Sequence, residues 1–272
     1  MQDRRTLLIR KFHFGKSKVR NSTTSLKWAP TLPNAMFWSS ARQMPEALRL
    51  TEQAIARDPR YGPALAWAAY CCLGLLHGNQ SEDRAADSLK GADFARRALE
   101  VAVDDPGILA NAGLALAYFG EDIGAMTALV NRALALNPSF ARGWYISGVI
   151  KLWAGQPDLA INDSEVSLHL SPRARIGPAL CVIGGAHFFA RHFDEAVPKL
   201  LLAAQEDPSY AQPFRYLAAC YGHMGRLDEA RAIVRRLRAI TPVRMPSVIY
   251  LRNPEHRELF LSGLRLAAGE AI

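Results

Sequence analysis

Seven His and four Cys, set among 25 Asp+Glu, are the side chains of this 272-residue chain best suited to chemistry. Metal chelation needs donors spaced to converge on one point, as CxxC pairs or HExxH on a helix do. Cys71 and Cys72 are adjacent, so on a helix their side chains diverge, while Cys181 and Cys220 stand alone. All four read as small buried hydrophobes rather than ligands or nucleophiles. His187 and His192 are five apart and form no HExxH. His192 precedes Phe193-Asp194-Glu195 at a helix turn and is expected in solvent. His187 falls where a packing ring is expected, and reads as a core or groove histidine. No GxxxxGK[ST] follows Gly184-Gly185, and neither GxSxG nor a paired-carboxylate frame occurs. The chain is therefore expected not to be an enzyme, with no catalytic residue, cofactor, metal or small-molecule substrate.

The charge is uneven. Residues 1–34 carry Arg4, Arg5, Arg10, Lys11, Lys16, Lys18, Arg20 and Lys27 against Asp3, which is +7 of the formal +8. Such an arm suits nucleic acid or an anionic membrane, an organellar leader, or a solvated, poorly ordered tail. Leu7–Ile9 is too short for a secretory h-region, and the longest apolar run, Ala64–Leu76, is too short for a membrane span. Four Cys make no disulfide framework. A cytoplasmic protein is expected.

The elements behind these residues are helices. Ala and Leu together supply 77 residues, and both are strong helix formers. From Met44 onward, amphipathic stretches stop at prolines: Pro59, Pro106, Pro138, Pro172, Pro208 and Pro242. The last three intervals are 34, 36 and 34 residues, a period that marks stacked helix pairs. Proline lacks an N–H and biases the residue before it away from the helix, and a preceding Asp or Asn favours a turn. The partner helices are predicted at Gly62–Leu76, Gly107–Phe119, Ala141–Ala154, Gly177–Ala190 and Ala211–Met224, joined to the second helices by short linkers. A loop over His77–Leu89 lengthens the first connection. Trp28–Met44, broken by Pro30 and Pro33, makes a poor first helix. Asn253–Gly269 reads as one last helix, with Asn253 as N-cap and Pro254 at the first position. Its Leu259, Phe260, Leu264 and Leu266 can cover the exposed end of a stack.

These residues resemble the tetratricopeptide repeat family position by position. In Ala141–Ala174, Trp144 falls at repeat position 4, Gly148 at 8, Gly155 at 15, Ala160 at 20 and Pro172 at 32. In Ala211–Arg244, Leu217, Ala218, Tyr221, Gly225, Ala230 and Pro242 fall at 7, 8, 11, 15, 20 and 32. Ser147, Lys151 and Ser167 depart from the pattern at 7, 11 and 27. The resemblance implies an all-α, right-handed α-solenoid of antiparallel helix pairs with a C-terminal capping helix. It divides the chain into the basic tail 1–34, an array 35–244 of one half repeat plus five repeats, and the cap 245–272. The inserted second repeat and the ending look like the C-terminal repeat region of bacterial proteins in which a class III adenylate/guanylate cyclase or winged-helix domain precedes the array. This chain would then be the regulatory or sensor region of a cyclase-like or DNA-binding signalling protein, with no cyclase residue to carry over.

In the family, positions 2, 5, 9, 12 and 13 of each first helix line the concave groove. Among the residues these positions select are Tyr70, Leu73, Leu114, Tyr118, Arg142, Tyr145, Val149, Trp153, Phe188 and Arg215. The set lacks the Lys/Asn/Arg clamp for an acidic C-terminus. It suits a protein or peptide partner with apolar anchors, with Arg142 and Arg215 fixing an acidic residue. The same rings could instead pack against neighbouring repeats or the insertion. A non-catalytic signalling scaffold is the expected function.

Overall fold

The computed structural model describes residues 44–269 apart from 79, 174 and 242–244. The basic tail, the 28–43 stretch and the Pro242 stop lie outside the described residues. Twelve helices and no strand occur among those described. They are α1 (Met44–Arg57), α2 (Gly62–His77), α3 (Arg84–Val101), α4 (Pro106–Phe119), α5 (Ile123–Leu136), α6 (Ala141–Trp153), α7 (Pro157–Leu170), α8 (Gly177–Phe189), α9 (Phe193–Glu206), α10 (Ala211–His223), α11 (Leu227–Ile240) and α12 (Pro254–Ala268). From α2 onward consecutive helices pair, the second helix of each pair packs on the next first helix, and successive first helices touch. This nearest-neighbour pattern is an α-solenoid.

The turn chemistry anticipated from the Asp-Pro and Asn-Pro dipeptides recurs at three boundaries. Asp58 Oδ1 accepts from Arg60 N, Asn137 Oδ1 from Ser139 N, and Asp207 Oδ1 from Ser209 N, each at 3.0–3.1 Å. In each turn a backbone bond of 3.0–3.1 Å also closes from the residue three positions on: Tyr61, Phe140 and Tyr210. An Asx turn thus places the next helix at a fixed angle. Pro106 behaves differently from the stop read in the sequence. Helix α3 ends at Val101, and Pro106 opens α4 behind Asp105, whose side chain accepts from Ile108 N at 3.0 Å. A missing N–H costs nothing at a first helical position, so this proline begins a helix. The insertion is also shorter than expected. Asp83 caps a helix starting at Arg84, so residues 84–89 add a turn to α3 rather than a loop.

Small residues fall where the helices of a pair cross. Ala160, Ala196, Ala218 and Ala230 are fully buried. A Cβ built on Gly148 would lie 2.5 Å from Ser164 Oγ and 3.0 Å from the carbonyl of Ala160. Gly148→Ala gains about 1 kcal/mol of helix propensity but overpacks this crossing by about 1–3 kcal/mol. A lowered urea midpoint with unchanged slope is the expected result. A raised midpoint would mean that α6 and α7 part without cost.

Candidate binding groove

The sequence placed α12 at the end of the stack, and it does pack on α10 and α11. It also reaches α8, and residues 248–253 before it run back across α6 and α4 to the end of α2. Tyr250 stacks on Tyr118 at 5.4 Å and meets Trp153 and His77 at 5.2 and 5.5 Å. Arg252 N donates to Trp153 O at 2.8 Å, and its guanidinium donates to Ala117 O at 2.7 Å and Glu121 O at 3.2 Å. Ala117 O belongs to the last turn of α4, where a guanidinium also complements the helix dipole. His256 stacks on Phe189 at 4.4 Å, Phe260 packs on Phe188 and Tyr216, and His223 Nε2 lies 2.8 Å from Leu259 O. A Cβ on Gly222 would sit 2.5 Å from Gly263 O, so α10 and α12 cross through two glycines.

Ala117, Tyr118, Trp153, Phe188, Phe189, Gly222 and His223 all occupy repeat positions 12 or 13. The C-terminal segment therefore covers the row of the concave face nearest the ends of the first helices. Burial, with Arg215 and Arg84 nearby, lowers His77 to about 4, so a neutral imidazole enters this ring cluster.

Residues at positions 2, 5 and 9, with Leu73 and Trp153 from positions 12 and 13, still face a hollow of about 690 Å³. Of the residues selected from the sequence, Tyr70, Leu73, Leu114, Tyr145, Val149, Trp153 and Arg215 line it. Tyr118 and Phe188 lie under the C-terminal segment. Arg142 is committed to packing. Its guanidinium sits 4.7 Å from the rings of both Trp67 and Tyr70, and it donates to Asn111 Oδ1 at 3.2 and 2.9 Å. It joins α6 to α2 and α4 instead of reaching a guest. Arg215, 1% exposed, faces Tyr118, Tyr210 and Tyr250. A carboxylate introduced there would be buried among phenols, so Arg215→Glu tests folding before it tests binding.

Position-based selection missed Tyr210 and Arg175, which also line the hollow. Both come from the turns between repeats. Tyr210 ends an Asx turn, and the matching places hold Tyr61 and Phe140, so DPRY, NPSF and DPSY carried a readable signal. Arg175 donates to Asp207 Oδ2 at 2.7 Å. Burial raises the Tyr145 and Tyr210 phenols, so both stay neutral. Cys71, Cys72, Cys181 and Cys220 are buried, and burial pushes each thiol up to about 12, which leaves no reactive thiolate.

No described helix is long and apolar enough to cross a membrane. Residues 190–252 match the tetratricopeptide repeat family. No curated protein matches the sequence. Among solved structures, the APC/C hetero-tetramer Cut9–Hcn1 aligns with TM-score 0.60 and 16% identity, over 87% of this chain and 42% of that one. A tetratricopeptide repeat protein from Parabacteroides merdae ATCC 43184 aligns with TM-score 0.50 and 14% identity, over 91% of this chain and 85% of that one. The chain thus has the α-solenoid fold of tetratricopeptide repeat structures, with the family's sequence pattern matched over residues 190–252.

Proposed function

We propose that this chain is a non-catalytic scaffold that holds a segment of a partner protein in its concave hollow. The supporting observation is the hollow itself. It presents Tyr70, Leu73, Tyr145, Val149 and Tyr210 for apolar anchors, and three arginines (Arg175, Arg215, Arg236) against one acid, Asp207. A guest with aromatic or aliphatic side chains and a nearby acidic group fits this lining. Rigid phenols give contact area at low entropy cost and offer hydroxyls to a guest backbone. The anchors are Tyr145 at position 5, Tyr70 and Val149 at position 9, Leu73 at position 12 of the first pair and Tyr210 from a turn, because the C-terminal segment covers positions 12 and 13 only from Ala117 onward.

A photo-crosslinking residue at position 145 tests the reading, with position 202 as control; Leu202 lies on α9 and is 51% exposed. Crosslinks to a partner from 145 and not from 202 are expected, and Tyr70→Ala should reduce capture about tenfold or more without changing the circular dichroism. Equal crosslinking from both positions, or capture untouched by Tyr70→Ala, would move the binding surface out of the hollow.

A further inference from the structure

Four hairpins among the described residues close in the same way, the first at Gly120, with φ 107° and Glu121 N donating to Leu116 O at 3.0 Å. Gly155, Arg191 and Gly225 each follow a helix cap with positive φ, at 84°, 63° and 70°. The next residue's N–H then donates to the carbonyl five residues back: Gln156 to Lys151, His192 to His187, and Arg226 to Tyr221. This closure brings the side chains of the two bonded residues together. At the α10–α11 turn they are Tyr221 and Arg226, with the guanidinium 4.7 Å from the ring, and Arg226 also pairs with Glu229 three residues on.

At the α8–α9 turn the same three places hold His187, His192 and Glu195. Their donor atoms all lie within 4.8 Å of one another. His187 Nδ1 is buried and makes no hydrogen bond, although Glu195 Oε2 is only 3.4 Å away. The geometry points to a binding site for a Zn²⁺-class transition-metal dication, held by His187, His192 and Glu195 with water completing the shell.

Two imidazoles and one carboxylate are a donor set that zinc accepts. Bonds of about 2.0–2.1 Å put the ligand atoms of a tetrahedral zinc roughly 3.3 Å apart, so the outer donors must close by about 1.5 Å. That movement is open to His192, which is exposed, and to Glu195, whose side chain is 63% exposed. His187, anchored in the last turn of α8, is the fixed donor. Burial lowers its basicity, aided by His192 and Lys199 and opposed by Glu195 and Glu165, so it meets a metal as a neutral ligand. Lys199 is the cation facing the site, against the two glutamates. The ion would fasten the end of α8 to the start of α9, independently of the concave hollow.

The test uses the untagged, metal-stripped full chain titrated calorimetrically with Zn²⁺ near neutral pH, and with Co²⁺ as a spectroscopic probe. About one equivalent of Zn²⁺ should bind, with a visible Co²⁺ band that Zn²⁺ displaces. At a Zn²⁺ concentration a hundredfold above Kd, Tm should rise by roughly 5 °C. His187→Ala, His192→Ala and Glu195→Gln should each weaken binding about tenfold or more. The last two alter exposed side chains, so they report on the site even where His187→Ala disturbs the fold. No stoichiometric binding would overturn the inference, as would an affinity untouched by His192→Ala and Glu195→Gln, which would place the ion on other donors. In those cases the trio is a plain turn-stabilising cluster like Tyr221, Arg226 and Glu229.

Discussion

Asp163→Ala should destabilise the chain by about 3–5 kcal/mol. Lys151 Nζ and Asp163 Oδ2 lie 2.5 Å apart across α6 and α7, with their side chains 16% and 8% exposed. Removing the carboxylate leaves an ammonium in a place with little water, and that uncompensated charge dominates the cost. Lys151→Met should be comparably damaging, because it strands the carboxylate. The two residues occupy repeat positions 11 and 23, which in the last repeat hold Tyr221 and Ile233. The double variant Lys151→Tyr/Asp163→Ile removes both charges and supplies packing of the kind the fold already uses. It should be neutral or more stable by about 1–4 kcal/mol. Urea unfolding measures all three. Because a solenoid couples neighbours only, the single variants should also broaden the transition as the α6–α7 pair frays from the array. Single-variant losses below about 1 kcal/mol would mean that water screens the pair as it does an exposed one.

That ion pair marks the limit of what the sequence discloses. Lys151 is visible as a departure from the ring expected at position 11. Its partner is not, since a lone Asp on a helix carries no signal of burial. The repeat register was legible because its determinants are local. Asp58-Pro59, Asn137-Pro138 and Asp207-Pro208 build their own turns, and Gly148 with Ala160 meets a spacing rule within one hairpin. The expected cap helix was legible for the same reason, from Asn253 and Pro254. Its route was not. Arg252 reaches Ala117, 135 residues away, only because the stacked pairs carry the ends of α4 and α6 to one line. Arg142 was read as a groove residue, and its packing role stayed hidden in the same manner, because its two rings and Asn111 come from earlier repeats. His187 and His192 read as a packing ring and a solvated turn residue because, with Glu195, they share no single helix face. The trio is assembled by a turn, at spacings of five and three.

Tyr250→Ala should cost about 3–5 kcal/mol and release the segment that covers positions 12 and 13 of the concave face. The ring touches His77, Tyr118 and Trp153 from three different repeats, so its loss opens a cavity that no single hairpin can close by itself. Tyr250→Phe keeps those ring contacts and should retain most of the stability. Arg252→Ala removes charge-assisted bonds to Ala117 and Glu121 and should cost about 1.5–3 kcal/mol. Amide exchange separates loosening of the segment from global unfolding. Leu251 N bonds to Val248 O and Arg252 N to Trp153 O, both within the segment's docked form. These two amides should lose protection in Tyr250→Ala before those of α8 and α10 do. Unchanged exchange together with an unchanged midpoint would show that the ring adds nothing to the packing. The same variant bears on binding. A guest seated on positions 2, 5 and 9 keeps its contacts when the segment lifts, so its affinity should fall only as far as the fold loosens. A guest that competes for Tyr118, Trp153 and Phe188 should bind Tyr250→Ala more tightly than the parent, because it no longer has to displace a docked tyrosine.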